Sequence, residues 1–400
     1  MRFKICRLVF FIFFISLSVI HIEAQDNRGQ LPPILANTYI SVNVGYIGYH
    51  FTNQQMEQGF QAASVHVPHT AMRITFGVHR FNKYLSLQVS YMRPVNWVLY
   101  KNVNGDNYNH SVWMNILALS LKSVIPITEK FSAFGEAGLV NVTRNGFQIG
   151  NSYAVKSAEY ISLLAGVGLQ YRLGNNWDLV FNSGWSPTNK NAKQPSTLIF
   201  SVGAIYNTHH LSARQVEKNS KSPYIFPRHL LQVGYTNSSV GFGINKFFAD
   251  GVIPVFWSGD VKIGRGVLLN YQQNVYHNRK VFSLDWGTSM GYWESRKNNE
   301  SFFTLSIYPL FRFIAIHSNP ADIYFVYSLA GPSFISRVTI DGDKTGKNFT
   351  FQDFMGIGFF AGKTRNLNAE VKIGHFSDGN LFPENNGVDF PLSFNVGYAF

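Results

Sequence analysis

The sequence predicts an all-β protein whose antiparallel strands close into outer-membrane barrels. The 400-residue chain is 46% hydrophobic but only 14% charged, far below the quarter that is usual for soluble proteins. After residue 25 no run of about 18 apolar residues occurs, so no membrane-spanning helix is expected. The apolar residues alternate instead with polar or small ones, which is the period of a strand with one apolar face.

The first 24 residues have the character of a secretory signal peptide. Three basic residues precede an apolar core over residues 8–20, which is too short to span a membrane, and Ala24 ends the segment with a small side chain. The only cysteine, Cys6, lies in this segment and before the core. We therefore expect export, a mature chain from about Gln25, and no disulfide.

The alternation is clearest in four segments, at residues 40–46, 161–171, 367–373 and 392–400. Strands of about ten residues match a tilted crossing of a bilayer, and aromatic residues near strand ends match interfacial girdles. The last strand itself ends in Phe400. A soluble β-sandwich is the alternative, but the low charge and the absence of a mature cysteine favour the membrane barrel.

A polar and basic stretch at 208–226 predicts a linker between residues 25–207 and 227–400. We expect eight strands before the linker and eight or nine after it. The first set lies near 38–48, 71–81, 84–93, 111–125, 130–144, 157–173, 177–186 and 196–207. The second lies near 229–246, 252–264, 266–277, 280–293, 301–317, 322–337, 347–362 and 367–377, with 390–400 as a ninth unless two of these merge.

Two tandem eight-stranded barrels are the simplest arrangement of these strands. A single barrel of about sixteen strands is the alternative, and it would be wide enough for a pore. Eight strands leave an interior that side chains just fill, so neither half would then conduct. The residues of the first half, 25–207, point to no chemistry.

A polar pair interrupts the alternation near the chain's end. His375 and Ser377 lie two residues apart, so they share the strand face of Leu367 and Val371, which is the lipid-facing one. Polar groups on that face are costly and indicate a functional site. A neutral histidine can take the serine proton and so make a nucleophile for acyl transfer.

Topology places this pair at the outer leaflet. Both termini of a bacterial barrel are periplasmic, so the last strand runs inward, strand 367–377 runs outward, and loop 378–389 is extracellular. Lipopolysaccharide forms that leaflet, and its acyl esters lie at this depth. The net charge of +12 also suits a phosphorylated glycolipid surface. Its bases are too dispersed for a nucleic-acid site.

The segment resembles the lipid A 3-O-deacylase family (PagL-type, also called acyloxyacyl hydrolase). The family has a histidine, a serine two residues later and an acid twelve residues after the serine, and here these are His375, Ser377 and Asp389. The resemblance covers about residues 227–400. It implies an eight-stranded outer-membrane barrel that hydrolyses a primary 3-hydroxyacyl ester of lipid A without a metal or other cofactor. Ser377 would be the nucleophile, His375 the general base and then acid, and Asp389 the orienting acid.

One residue departs from the family pattern. The family often has asparagine directly after the serine, where it contributes to the oxyanion hole, whereas this chain has Asp378. An ionised carboxylate there would repel a developing oxyanion, so we expect it to be neutral or turned away. We assign the oxyanion hole to the backbone N–H of Gly379 and the side chain of Asn385.

The acid has an alternative in Glu384. Counting back from Phe400, Asp389 falls on the inward face, opposite to His375, unless a bulge at Pro391 resets the alternation. A non-catalytic membrane anchor or adhesin with a vestigial site is the second function, and a sixteen-stranded pore the third. The sequence does not indicate the oligomeric state.

Overall fold

The computed structural model describes residues 28–249 and 259–400, and the predicted signal peptide lies outside them. In chain order, the strands of the first half are β1 (Tyr39–Tyr49), β2 (Ala62–His66), β3 (Thr70–Arg80), β4 (Leu85–Pro94), β5 (Val98–Val103), β6 (Asn109–Pro126), β7 (Phe131–Asn145), β8 (Phe147–Ile149), β9 (Ser152–Val155), β10 (Ala158–Arg172), β11 (Trp177–Ser186) and β12 (Thr197–Asn207). Eight of them, β1, β3, β4, β6, β7, β10, β11 and β12, form a closed antiparallel barrel.

The described residues of the second half contain ten strands. They are β13 (His229–Asn237), β14 (Val261–His277), β15 (Phe282–Ser295), β16 (Ser301–His317), β17 (Ala321–Ile335), β18 (Thr339–Ile340), β19 (Asp343–Lys344), β20 (Phe349–Ala361), β21 (Leu367–Ser377) and β22 (Val388–Ala399). All except the β18–β19 hairpin form a second closed barrel of eight strands. The fold is therefore two barrels in tandem, as predicted, and the alternative of one sixteen-stranded barrel is wrong.

In the second half two predicted strands merge, which the expected count of eight or nine left open, and one predicted strand is too long. The segments expected at 252–264 and 266–277 belong to one strand, β14, as far as the described residues extend. The strand expected over 229–246 ends at Asn237. Gly241 then adopts a φ of 76°, a left-handed conformation that breaks a strand, and a short helix follows.

In the described ranges two short α-helices accompany the barrels, besides the 3₁₀ turns Asn53–Gln55 and Ser238–Val240. Helix α1 (Ala213–Ser220) lies in the 208–226 segment, and the Ser212 side chain caps its N-terminus. Helix α2 (Gly243–Ala249) follows β13. Within 28–249 and 259–400, no helix has the length and apolar character needed to cross a membrane.

Both barrels have a polar interior and an apolar outer wall. Inside the first barrel, Arg73 binds Glu136 at 2.6 Å, and in the second Arg312 binds Asp285. Outward residues such as Val167 and Val396 are each 65% exposed. This distribution of polar and apolar residues is the reverse of that in a soluble protein, and it suits a wall that faces lipid. The buried ion pairs occupy the barrel interiors.

Candidate active site

His375 and Ser377 lie at the end of β21, on the outer wall of the second barrel. Asn368, Glu370 and Lys372 are buried in the barrel interior, whereas Leu367 and Val371 are exposed on the outside. Because side chains alternate along a strand, His375 and Ser377 point outward with the second group. Phe376, between them, points inward and packs on Trp293.

His375 is covered although it points outward, since only 1% of it is exposed. On the same wall, Phe248 and Ala249 of α2 pack against Ile373 and Met355. The loop before β22 covers the other side of the ring. Gly387 of this loop lies so close that a Cβ placed on it would be 3.8 Å from the imidazole Cδ2. Ser377 keeps intermediate exposure. The imidazole is therefore largely shielded from solvent and lipid, while Ser377 is only partly buried.

The neighbouring strands place an aspartate on each side of His375. In the strand register, Asp353 of β20 and Asp389 of β22 both lie directly opposite His375. The distance from His375 Nδ1 to the nearer Asp353 carboxylate oxygen is 3.7 Å. This exceeds a hydrogen bond, although catalytic contacts are often long before substrate binds.

Asp389 reaches the outward face because β22 contains a bulge. Lys372 pairs with Ser393, but Gly374 pairs with Phe390, so two residues of β22 lie opposite one residue of β21. The extra residue reverses the alternation beyond it. Phe390 consequently points inward and stacks on Trp293 at 5.2 Å, and Asp389 points outward with His375.

The surroundings of the carboxylates differ. Asp389 is fully buried and accepts a hydrogen bond from Lys262 Nζ at 2.7 Å. Asp353 is 7% exposed and accepts a hydrogen bond from the backbone N–H of Ala330. Glu384, the alternative acid, is instead bound to Lys344 at 2.9 Å on the surface.

Sequence reasoning missed Asp353 and Lys262. Asp353 left a signal, because it is an acid among the outward residues of β20, where Ile357 and Phe359 are exposed to lipid. The sequence contains no comparable signal for Lys262, because its contact with Asp389 depends on the pairing of β14 with β22.

The two groups assigned to the oxyanion hole both donate to the Ser377 hydroxyl. Asn385 Nδ2 lies 2.9 Å and the Gly379 backbone nitrogen 3.2 Å from Ser377 Oγ. Asn385 is held in turn, because its Oδ1 accepts from the Asp378 N–H at 3.1 Å and its Nδ2 donates to Asn380 Oδ1 at 2.9 Å. Both donors therefore stand next to the atom that would attack a substrate.

Asp378, in the loop beyond β21, is completely buried. Its carboxylate packs beside Gly346, where a Cβ would come within 2.2 Å of Oδ2. Burial raises the pKa of Asp378 to about 8, an effect that backbone N–H groups of the same turn partly offset. At neutral pH the group is therefore mainly protonated, so it brings little negative charge beside Ser377.

The raised pKa of Asp378 predicts a pH dependence. An acid with a raised pKa in the folded state is neutral below that pKa and becomes a buried anion above it. We expect acyl release to fall as the pH passes about 8, since the anion repels the oxyanion. In Asp378→Asn the alkaline fall should disappear, while kcat at neutral pH should stay near the wild-type value, because the mainly protonated Asp378 already carries little charge there. Persistence of the same alkaline fall in Asp378→Asn would assign it to another group.

Comparison with known families bears on both barrels. Residues 265–399 match the family model described as lipid A 3-O-deacylase (PagL). The C-terminal barrel is therefore PagL-like. Residues 12–207 match the model described as outer membrane protein beta-barrel domain. The resemblance predicted for the second half is confirmed, and the chain is an outer-membrane protein.

Solved structures of small barrels are similar to somewhat less than half of the chain. The outer membrane enzyme PagL is 14% identical over 43% of this chain and 99% of its own, with a TM-score of 0.31. Ail, the attachment invasion locus protein of Yersinia pestis, is 15% identical over 43% and 99%, with a TM-score of 0.29. OprG from Pseudomonas aeruginosa is 14% identical over 44% and 97%, with a TM-score of 0.27. No curated protein matches the chain.

Proposed function

We propose that the PagL-like barrel is an esterase that removes an acyl chain, the 3-O-linked hydroxyacyl chain, from lipid A in the outer leaflet. The observation that carries the proposal is the cluster on the outer wall of the barrel. There a buried imidazole lies between two aspartates, two residues from a serine whose hydroxyl already meets two hydrogen-bond donors. The family match adds the substrate class.

In the proposed reaction Ser377 Oγ attacks the ester carbonyl while His375 takes the hydroxyl proton. The oxyanion of the tetrahedral intermediate accepts hydrogen bonds from the Gly379 N–H and Asn385 Nδ2, which turn to it from Oγ. Collapse breaks the ester bond, and His375 returns the proton to the departing sugar oxygen. Water, activated by the same histidine, then releases the hydroxy fatty acid and restores Ser377.

Asp389 remains the proposed orienting acid, as in the family pattern. Lys262 Nζ donates to its carboxylate at 2.7 Å, and a carboxylate opposite His375 would stabilise the imidazolium that forms during attack. Asp353 is the competing candidate, because its carboxylate lies 3.7 Å from Nδ1. Both side chains point to the same face of the sheet, so either could hold the ring.

The proposal is tested with purified lipopolysaccharide in mixed micelles. The refolded chain should release free 3-hydroxy fatty acid, detected by mass spectrometry. A short, water-soluble acyl ester should be a poor substrate, since Ser377 opens on the barrel wall rather than into a water-filled pocket. If no fatty acid is released from micelles that the protein has entered, the proposal is wrong.

A non-catalytic membrane anchor or adhesin is the second candidate. The observation that favours it is Asp378, an acid directly after the serine. Such a protein would leave the mass spectrum of lipid A unchanged when it is overproduced. The third function, a sixteen-stranded pore, is wrong, because the strands form two eight-stranded barrels whose interiors contain buried side chains such as Arg73 and Arg312.

A further inference from the structure

The outer wall of the first barrel contains a polar patch where lipid contact would predict apolar residues. Leu119 and Leu121 of β6 and Leu139 of β7 are exposed on this wall. On the same outward faces, Asn115 of β6 and Thr143 of β7 are only 2% and 0% exposed. Together with Tyr91 and Asn141 they form the polar patch. A polar group removed from water is costly unless it is hydrogen-bonded, so these side chains need a partner.

Their partner is the loop of the second barrel that follows Ser377. Four side chains of the polar patch take part, and together they donate to three consecutive backbone carbonyls of this loop. The bonds are Tyr91 Oη to Gly379 O at 2.9 Å, Asn115 Nδ2 to Asn380 O at 2.7 Å, and Thr143 Oγ1 and Asn141 Nδ2 to Leu381 O at 2.7 and 3.2 Å.

The patch is also internally connected and supported. Asn115 Nδ2 donates to Tyr91 Oη at 3.0 Å, so the donors to Gly379 and Asn380 hold each other. Nearby, Lys347 of the second barrel binds Glu159 of the first at 2.7 Å and lies 4.3 Å from the Phe382 ring centroid. Lys347 thus forms a second, indirect link between the first barrel and the loop, next to Leu381.

The attached carbonyls belong to the residues that build the proposed oxyanion hole. Gly379 supplies one donor to Ser377 directly. Asn380 holds the second donor, the Asn385 amide, in place. Its Oδ1 accepts a hydrogen bond from Asn385 Nδ2, which also donates to Ser377. Gly379 and Asn380 both have a left-handed φ, 64° and 58°, a conformation that costs energy for asparagine and persists when surrounding contacts hold it.

We propose that the first barrel is a positioning partner for the active site of the second. Its four outward side chains hold residues 379–381, so that the Gly379 N–H and the Asn385 amide stay aimed at the reacting atoms. The inference rests on the proposed esterase function. It assigns to Tyr91, Asn115, Asn141 and Thr143 a role through the loop rather than contact with substrate.

The test removes three of the four donors, all except Asn141, while keeping the approximate shape of the side chains. In the full chain, Tyr91→Phe, Asn115→Leu and Thr143→Val are combined. We expect kcat on micellar lipopolysaccharide to fall by about 10- to 100-fold, because small misplacements of catalytic groups cost this much. KM should change little, since none of the three side chains is placed on the substrate.

Single substitutions separate positioning from general stability. Thr143→Ser keeps the hydroxyl and should keep kcat, whereas Thr143→Val should lower it; this pair also serves if the triple variant does not fold. Tyr171→Phe removes a tyrosine hydroxyl from an exposed site on β10, away from the patch, and should leave kcat unchanged. A folded triple variant with the wild-type kcat would overturn the inference.

Hydrogen exchange gives a readout that does not depend on activity. Amides of residues 378–387 should exchange faster in the triple variant than in the wild type, because exchange reports local opening. If the wild type releases no fatty acid, the proposed esterase function is wrong. Separately, if the amides of residues 378–387 exchange no faster in the triple variant than in the wild type, the first barrel does not hold this loop. An active wild type with unchanged kcat and exchange in the variant rejects the positioning role alone.

Discussion

Replacing Ser377 by alanine is expected to lower kcat for fatty-acid release by at least about 10⁴-fold, since removal of a triad nucleophile costs orders of magnitude. The residual rate would come from the oxyanion-hole donors and from binding. KM should change little, because the hydroxyl contributes to attack rather than to binding of the glycolipid. The measurement is the initial rate of 3-hydroxy fatty acid release from micellar lipopolysaccharide.

A serine on the neighbouring strand provides the matched control. Ser393 of β22 is buried inside the same barrel, and Ser393→Ala should retain the wild-type rate. His375→Ala should lose about as much as Ser377→Ala, and the double variant should lose little more, because the two groups act as one unit. Equal rates for the wild type and Ser377→Ala would reject the nucleophile.

Replacement of the orienting acid is expected to have the second large effect. Asp389→Asn should lower kcat by about 10⁴-fold, because an amide leaves the imidazole in the wrong tautomer and removes the negative charge. Asp353→Asn should cost much less, since in the described residues its hydrogen-bond partner is a backbone N–H rather than a cation. The two rates are compared on the same micellar substrate, with folding checked by circular dichroism.

The order of the two losses decides the assignment. If Asp353→Asn is the more damaging substitution, the acid on β20 orients His375, and the bond between Asp389 and Lys262 supports the strand ends instead. Small losses in both variants would show that no carboxylate orients the ring.

The strands were largely predictable because their signal is local. A lipid-facing wall requires an apolar residue at every second position, and this holds for β1, β10 and β21 without reference to any partner. The prediction failed at residues 238–249, where a 3₁₀ turn with Gly241 at its end follows β13 and α2 packs against Ile373. Covering the barrel wall makes α2 apolar too, so its residues resembled those of a strand.

The site was predictable only in part. His375 and Ser377 lie on one strand, so their spacing places them on one face. Asp353 and Asp389 meet His375 through the registers of two further strands, and Asp389 depends in addition on the bulge near Pro391. The contacts of Asn115 and Thr143 link residues more than two hundred positions apart, and alternation along a strand carries no information about such pairs.

The mass spectrum of lipid A from outer membranes that contain the protein tests the central claim most directly. Membranes with the wild-type chain should contain lipid A that has lost the mass of one hydroxyacyl chain, and membranes with Ser377→Ala at the same level should contain the full-length species. Identical spectra from the two membranes would contradict the claim that this barrel is a lipid A esterase.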